Sequence, residues 1–183
     1  IINKDGEFRY SFITIWLKYI LSTRYTRTKL REQIKTEIKS QIERYCDYYS
    51  DSKVLRLDSH MHLHMIPFIF DIYLELSEDY DIKFIRIPYE LKYFNMHKFF
   101  YFIFPNLLKN CLLNYLSKHN APKLKKHKIK RNDYFIGVLA SGNMGADDVD
   151  LALRRINKYS NPKSVEILFH PGGVAHKKSV DWT

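Results

Sequence analysis

Short β-prone runs alternate with longer segments of helical period along this chain of 183 residues, and that alternation restricts it to folds built on a mainly parallel sheet. Over residues 28–49 the apolar Leu30, Ile34, Ile38, Ile42, Tyr45 and Tyr49 recur at three- or four-residue steps, with Lys, Glu and Gln between them, which predicts an amphipathic helix. Val54-Leu55-Arg56-Leu57 predicts a first strand, and Pro67 suits the opening turn of a helix over 68–76. Lys83-Phe84-Ile85-Arg86-Ile87, closed by Pro88, predicts a second strand. Tyr134-Phe135-Ile136-Gly137-Val138 and Val165-Glu166-Ile167-Leu168-Phe169 predict a third and a fourth. Between them Val149, Leu151, Leu153 and Ile156 predict a helix over 147–158, with Asp147 and Asp148 favourable at its N-terminus. The expected class is α/β, with the parallel sheet either open or rolled into a barrel. In such folds chemistry gathers at the carboxyl ends of strands. Three of the four runs end in residues capable of it: a histidine cluster, the stretch from Arg86 to Glu90, and His170.

Composition narrows the setting. The length suits one domain, and a hydrophobic fraction of 45% is enough to build a core. Lys and Arg outnumber Asp and Glu by 30 to 20, giving a net charge of +10 that suits an anionic partner without choosing it. Much of the excess falls in 118–131, which has neither interleaved aromatics nor a nucleic-acid motif, so it reads as a solvated basic connector. Cys46 and Cys111 are the only cysteines and form no C-x-x-C pair, which excludes a disulfide framework and fits a reducing, cytoplasmic setting. The apolar stretch 99–116 is interrupted by Pro105, Asn106, Lys109, Asn110 and Asn114. It reads as a buried helix or helix pair, not a membrane span.

The strongest chemical signal is Asp58-Ser59-His60-Met61-His62-Leu63-His64. On an extended strand, alternation puts Asp58, His60, His62 and His64 on one side, where they would line a wet cleft or grip an ion. Same-face neighbours lie about 6.6 Å apart on such a strand, whereas a zinc–imidazole bond is about 2 Å, so one or two of the imidazoles can be ligands and not all three. His170, in the turn His170-Pro171-Gly172-Gly173 after the fourth run, suits a general acid or base. Arg86, followed by Pro88 and Glu90, suits a structural ion pair, the orienting of a carboxylate or contact with a sugar hydroxyl. Ser141-Gly142-Asn143-Met144-Gly145 lacks the phosphate-loop pattern and precedes two aspartates, so it reads as a turn that shapes a pocket.

Taken in order, four segments resemble the YdjC family of carbohydrate deacetylases. Asp58-Ser59-His60-Met61-His62-Leu63-His64-Met65-Ile66-Pro67 is similar to that family's D-S-H-x-H-x-H-x-x-P, and Arg86-Ile87-Pro88-Tyr89-Glu90 to its R-x-P-x-E. Phe135-Ile136-Gly137 through Ser141-Gly142 resembles its F-x-G and S-G segment, and Glu166-Ile167-Leu168-Phe169-His170-Pro171-Gly172 its E-[IVL]-[ML]-x-H-P-G. The resemblance implies an incomplete or distorted β/α barrel that hydrolyses the N-acetyl group of amino sugars or oligosaccharides with the help of a divalent metal ion, Mg²⁺ or Zn²⁺. In that family the ion is held by an Asp of a D-D-F-G motif, a His from a later strand and the first His of the triplet. Here the resemblance carries over His60 as a metal ligand and His170 as the acid that protonates the leaving amine. It implies that His62 and His64 stand behind the ligand or face substrate, and that Arg86 and Glu90 bind substrate.

No D-D-F-G precedes Thr28, and the sequence opens Ile1-Ile2-Asn3. The expectation is therefore a single partial deacetylase domain over 1–183 that lacks its first β/α units and is inactive alone. Its expected partner is an N-acetylated saccharide, with a homodimer left open and neither nucleic acid nor membrane insertion involved. The alternative expectation is a non-catalytic module that holds an anionic glycan or polymer.

Overall fold

The computed structural model describes residues 11–49, 54–93 and 103–169. These fall into two units, residues 1–85 with 124–129 and residues 86–123 with 130–183.

The first unit opens with two helices, α1 (Phe12–Leu21) and α2 (Arg24–Tyr48). Ser11 and Thr23 cap them, each accepting the backbone N–H three residues on, from Thr14 and Thr26. The turn between the helices is closed by Arg27, whose Nε donates to Tyr19 O at 2.8 Å and whose Nη2 donates to Ile20 O, so that a cation satisfies the carbonyls at the end of α1. Helix α2 buries Leu30, Ile34 and Ile42, a single stripe at multiples of four. This helix begins four residues before the expected start because Thr23 supplies the cap.

Strand β1 (Leu55–Leu57) pairs in parallel with β2 (Ile82–Ile85), Leu57 opposite Ile85, and between them runs α3 (Pro67–Asp79). Pro67 stands in the first turn of α3, where no N–H is needed. Phe68, Ile69, Phe70, Ile72, Tyr73, Leu74 and Leu76 are all buried, so α3 is enclosed nearly all round, and Tyr19 of α1 stacks on Phe68 at 3.8 Å. Burial of each such side chain stabilises the unit by about 1.5–3 kcal/mol. On the polar side of α3, Glu75 bridges Arg31 and Lys35 of α2.

In the second unit β3 (Tyr134–Ile136) pairs in parallel with β4 (Val165–Ile167), Phe135 opposite Glu166. Helix α5 (Ala146–Tyr159) joins them and buries Ala152 and Ile156 in a cluster with Ile136, Leu139 and Tyr93. Gly145 N–H donates to the Asp148 carboxylate at 2.8 Å, which satisfies a backbone donor at the start of α5. Helix α4 (Ile103–Lys126), of which residues 103–123 belong to this unit, takes in the first half of the stretch expected to be a solvated connector. No helix among the described residues is long and apolar enough to cross a membrane.

The sheets are thus two parallel pairs with helical crossovers, an α/β arrangement with short strands; no closed barrel is formed among the described residues. The second expected strand stops at Ile85, although extended chain continues. Beyond it the Asn132 side chain takes the role of a neighbouring strand, its Oδ1 accepting Ile87 N–H and its Nδ2 donating to Ile87 O, both at 2.8 Å.

Candidate functional site

The histidine tract leaves β1 and does not stay extended. Residues His60–Met65 wind into a 3₁₀ turn, with Met61 and His62 in the left-handed region at φ of 52° and 57°. The cause is Ser59: its Oγ accepts His64 N–H at 2.8 Å and lies 2.8 Å from His64 Nδ1, so one hydroxyl folds the tract back on itself. This corrects the expectation that Asp58, His60, His62 and His64 share a strand face. His60 is exposed, His62 is half-buried and His64 is fully enclosed. The His62 and His64 rings stand 6.3 Å apart, and the Tyr73 ring lies 5.9 Å from that of His64. Tyr73 Oη donates to Asp58 O at 3.1 Å. Burial raises the pKa of that hydroxyl, as does the charge of Asp58, so it remains a neutral donor.

Among the described residues no three His, Cys, Asp or Glu side chains gather so as to hold a metal ion. The described residues therefore do not by themselves complete a site for a catalytic ion.

In the second unit Arg86 and Glu90 occupy an extended strap, residues 86–90, bonded along β3 through Phe135 N–H to Tyr89 O at 2.8 Å. Arg86 donates from Nε and Nη2 to Glu166 Oε1 at 2.8 and 2.5 Å, and its guanidinium lies 5.7 Å from the Phe135 ring. Three of the quoted segments therefore meet side chain to side chain. Glu90 is only 1% exposed. Its carboxylate accepts the N–H groups of Gly137 at 2.8 Å, Leu139 at 2.9 Å and Val138 at 3.2 Å, as well as the Asn110 amide at 3.2 Å. Burial pushes the carboxyl up to about 7, against the pull of those donors. Gly137 has φ +147°, and a Cβ there would stand 3.1 Å from Leu168, so this position needs glycine.

Four asparagines complete the network and were not among the expected site residues. Asn110 and Asn114 donate to Glu90 O at 3.1 and 2.8 Å, Asn114 accepts Glu90 N–H at 2.9 Å, and Asn106 donates to Leu139 O and Ser141 O. Asn132 holds Ile87, as above. The signal in the sequence is the spacing 106, 110, 114, a polar stripe at helical period through an otherwise apolar helix. His170 lies outside the described residues, one position beyond Phe169.

The YdjC-like protein family matches residues 1–181. The chain belongs to that family. A carbohydrate deacetylase of Xenopus laevis is 25% identical over an alignment that covers 63% of this chain and 41% of that protein, so the chain spans less than half the length of this relative. No solved structure matches the chain. In this YdjC-like chain Arg86, Glu90, Phe135, Gly137 and Glu166 bind one another locally.

Proposed function

We propose that this YdjC-like chain is part of a carbohydrate deacetylase that hydrolyses the N-acetyl group of an amino sugar or oligosaccharide. The observation that carries the reading is the family match across 1–181 together with the likeness to the Xenopus laevis carbohydrate deacetylase. In the reaction water adds to the acetamide carbonyl, the C–N bond breaks, and acetate leaves as the sugar amine takes up a proton. The reading gives that proton to the amine from His170, which follows β4. The Arg86–Glu166 pair and the Glu90 cradle support it by fixing the backbone of residues 137–139 and the strand from which His170 continues.

A divalent ion, Mg²⁺ or Zn²⁺, enters through His60 as one donor, with its remaining ligands supplied from outside the described residues. His62 and His64 are assigned to the substrate side or to positions behind His60, whereas Arg86 and Glu90, first expected to bind substrate, hold Glu166 and the backbone of residues 137–139 instead. The proposed architecture is an incomplete β/α barrel forming one partial domain, in a cytoplasmic setting consistent with the free Cys46 and Cys111. Acetate release from N-acetylated oligosaccharide by the complete protein tests the reading. Loss of release on His170→Ala, on His60→Ala and on chelation is the expected result, and unchanged release after all three overturns it.

A further inference from the structure

A cavity of about 630 Å³ opens in the second unit at the amino ends of β3 and β4. Arg131, Asp133 and Tyr134 reach it from the start of β3, Lys163 from the turn that enters β4, and Ser117 and Lys118 from α4. Gly137 and Leu168, which lead towards His170, follow the carboxyl ends of the same strands. Chemistry in parallel α/β folds gathers at carboxyl ends, so this cavity is separate from the proposed deacetylation and independent of it.

Its chemistry is specific. Lys118, Arg131 and Lys163 are exposed cations, and none of the three forms an ion pair among the described residues. Asp133 brings one opposing charge, but its Oδ2 already accepts Lys163 N–H at 2.8 Å and Ser164 N–H at 3.1 Å. Cations gathered around a concave surface raise the local concentration of an anion. The rings of Tyr89 and Tyr134, 5.8 Å apart and inclined at 37°, give the wall an aromatic surface beside the charge. Ser117 is 1% exposed, and its hydroxyl has no hydrogen-bond partner among the described residues, an arrangement that costs stability unless a ligand or water completes it. The volume falls within the range of small-molecule sites.

We infer that this cavity is a second ligand site, which binds a small phosphate ester carried on a ring. The phosphate meets Arg131, Lys118 and Lys163, and the ring lies against the tyrosines. A nucleotide and a sugar phosphate share that chemistry. Titration calorimetry on the 183-residue chain with AMP, with ribose 5-phosphate and with inorganic phosphate tests it.

Binding of either ester, weakened by added salt and by about tenfold on Arg131→Ala or Lys163→Ala, is the expected result. A preference for AMP assigns the ring to a base, and a preference for ribose 5-phosphate assigns it to a sugar. Both cations are exposed, and Arg131 gives up one hydrogen bond, from Nη1 to Asn132 O at 3.0 Å, so Lys163→Ala is the variant that leaves the fold untouched. The inference is overturned if neither ester binds at millimolar concentration, if inorganic phosphate binds as well as the esters, or if both variants bind as the parent does.

Discussion

The histidine turn of the first unit and the Arg86–Glu90 strap of the second are both rich in polar letters, yet they use them in different ways. In the turn a single hydroxyl, Ser59, gathers the backbone and ring of His64 and leaves His60 exposed. In the strap nearly every polar side chain is consumed: Arg86 by Glu166, Glu90 by three backbone N–H groups, and Asn132 by Ile87. The contrast teaches that a chemically suggestive motif can be spent on holding backbone.

The largest expected effect lies in the strap. Glu90→Ala leaves three buried N–H groups without an acceptor, each worth about 1–3 kcal/mol, so urea unfolding is expected to show a loss of at least about 3 kcal/mol. A loss under 1 kcal/mol would mean that the strap is not the more heavily committed region. The pH dependence sharpens the same point. The folded-state value of Glu90, about 7, lies above its ordinary 4.5, so the folded protein holds the proton more tightly than the unfolded chain. Its contribution is therefore fully present below about pH 4.5 and is lost as pH rises through about 7. Over that window stability is expected to fall by up to about 3 kcal/mol, and Glu90→Gln is expected to flatten the slope. An unchanged slope in the variant would move the titration to another group.

Ser59→Ala comes next, at about 1–2 kcal/mol, because it removes one acceptor at a partly buried turn. Amide hydrogen exchange at His64 is expected to rise in this variant; undiminished protection there would refute Ser59 as the organiser. The smallest effect belongs to His60→Ala, within about 0.5 kcal/mol of the parent in the same unfolding experiment, since the side chain is exposed. A large loss would reverse the comparison by making the histidine turn the structural region.

Much of the framework was legible because it depends on local pattern. The stripe Leu30, Ile34 and Ile42 fixes α2, Pro67 opens α3, and the runs before Asp58 and after Asp133 become parallel strands. What escaped depends on partners far along the chain or on competition within a few residues. Alternation predicts an extended histidine tract, but Ser59 finds His64 five positions on and the strand loses. Asn110 and Asn114 read only as interruptions of an apolar helix until Glu90, twenty or more positions away, supplies the backbone they hold. Arg86 suggested an ion pair without naming its partner, since Glu166 lies eighty positions further on.

The Glu90 cradle also makes folding a chemical exchange with the solvent. Between about pH 4.5 and 7 the chain draws up to one proton from the surrounding buffer as the carboxyl is enclosed, and gives it back on unfolding. The heat of unfolding measured by calorimetry therefore includes the buffer's own ionisation heat, so that solutions of equal pH in phosphate and in imidazole return different enthalpies for the same transition.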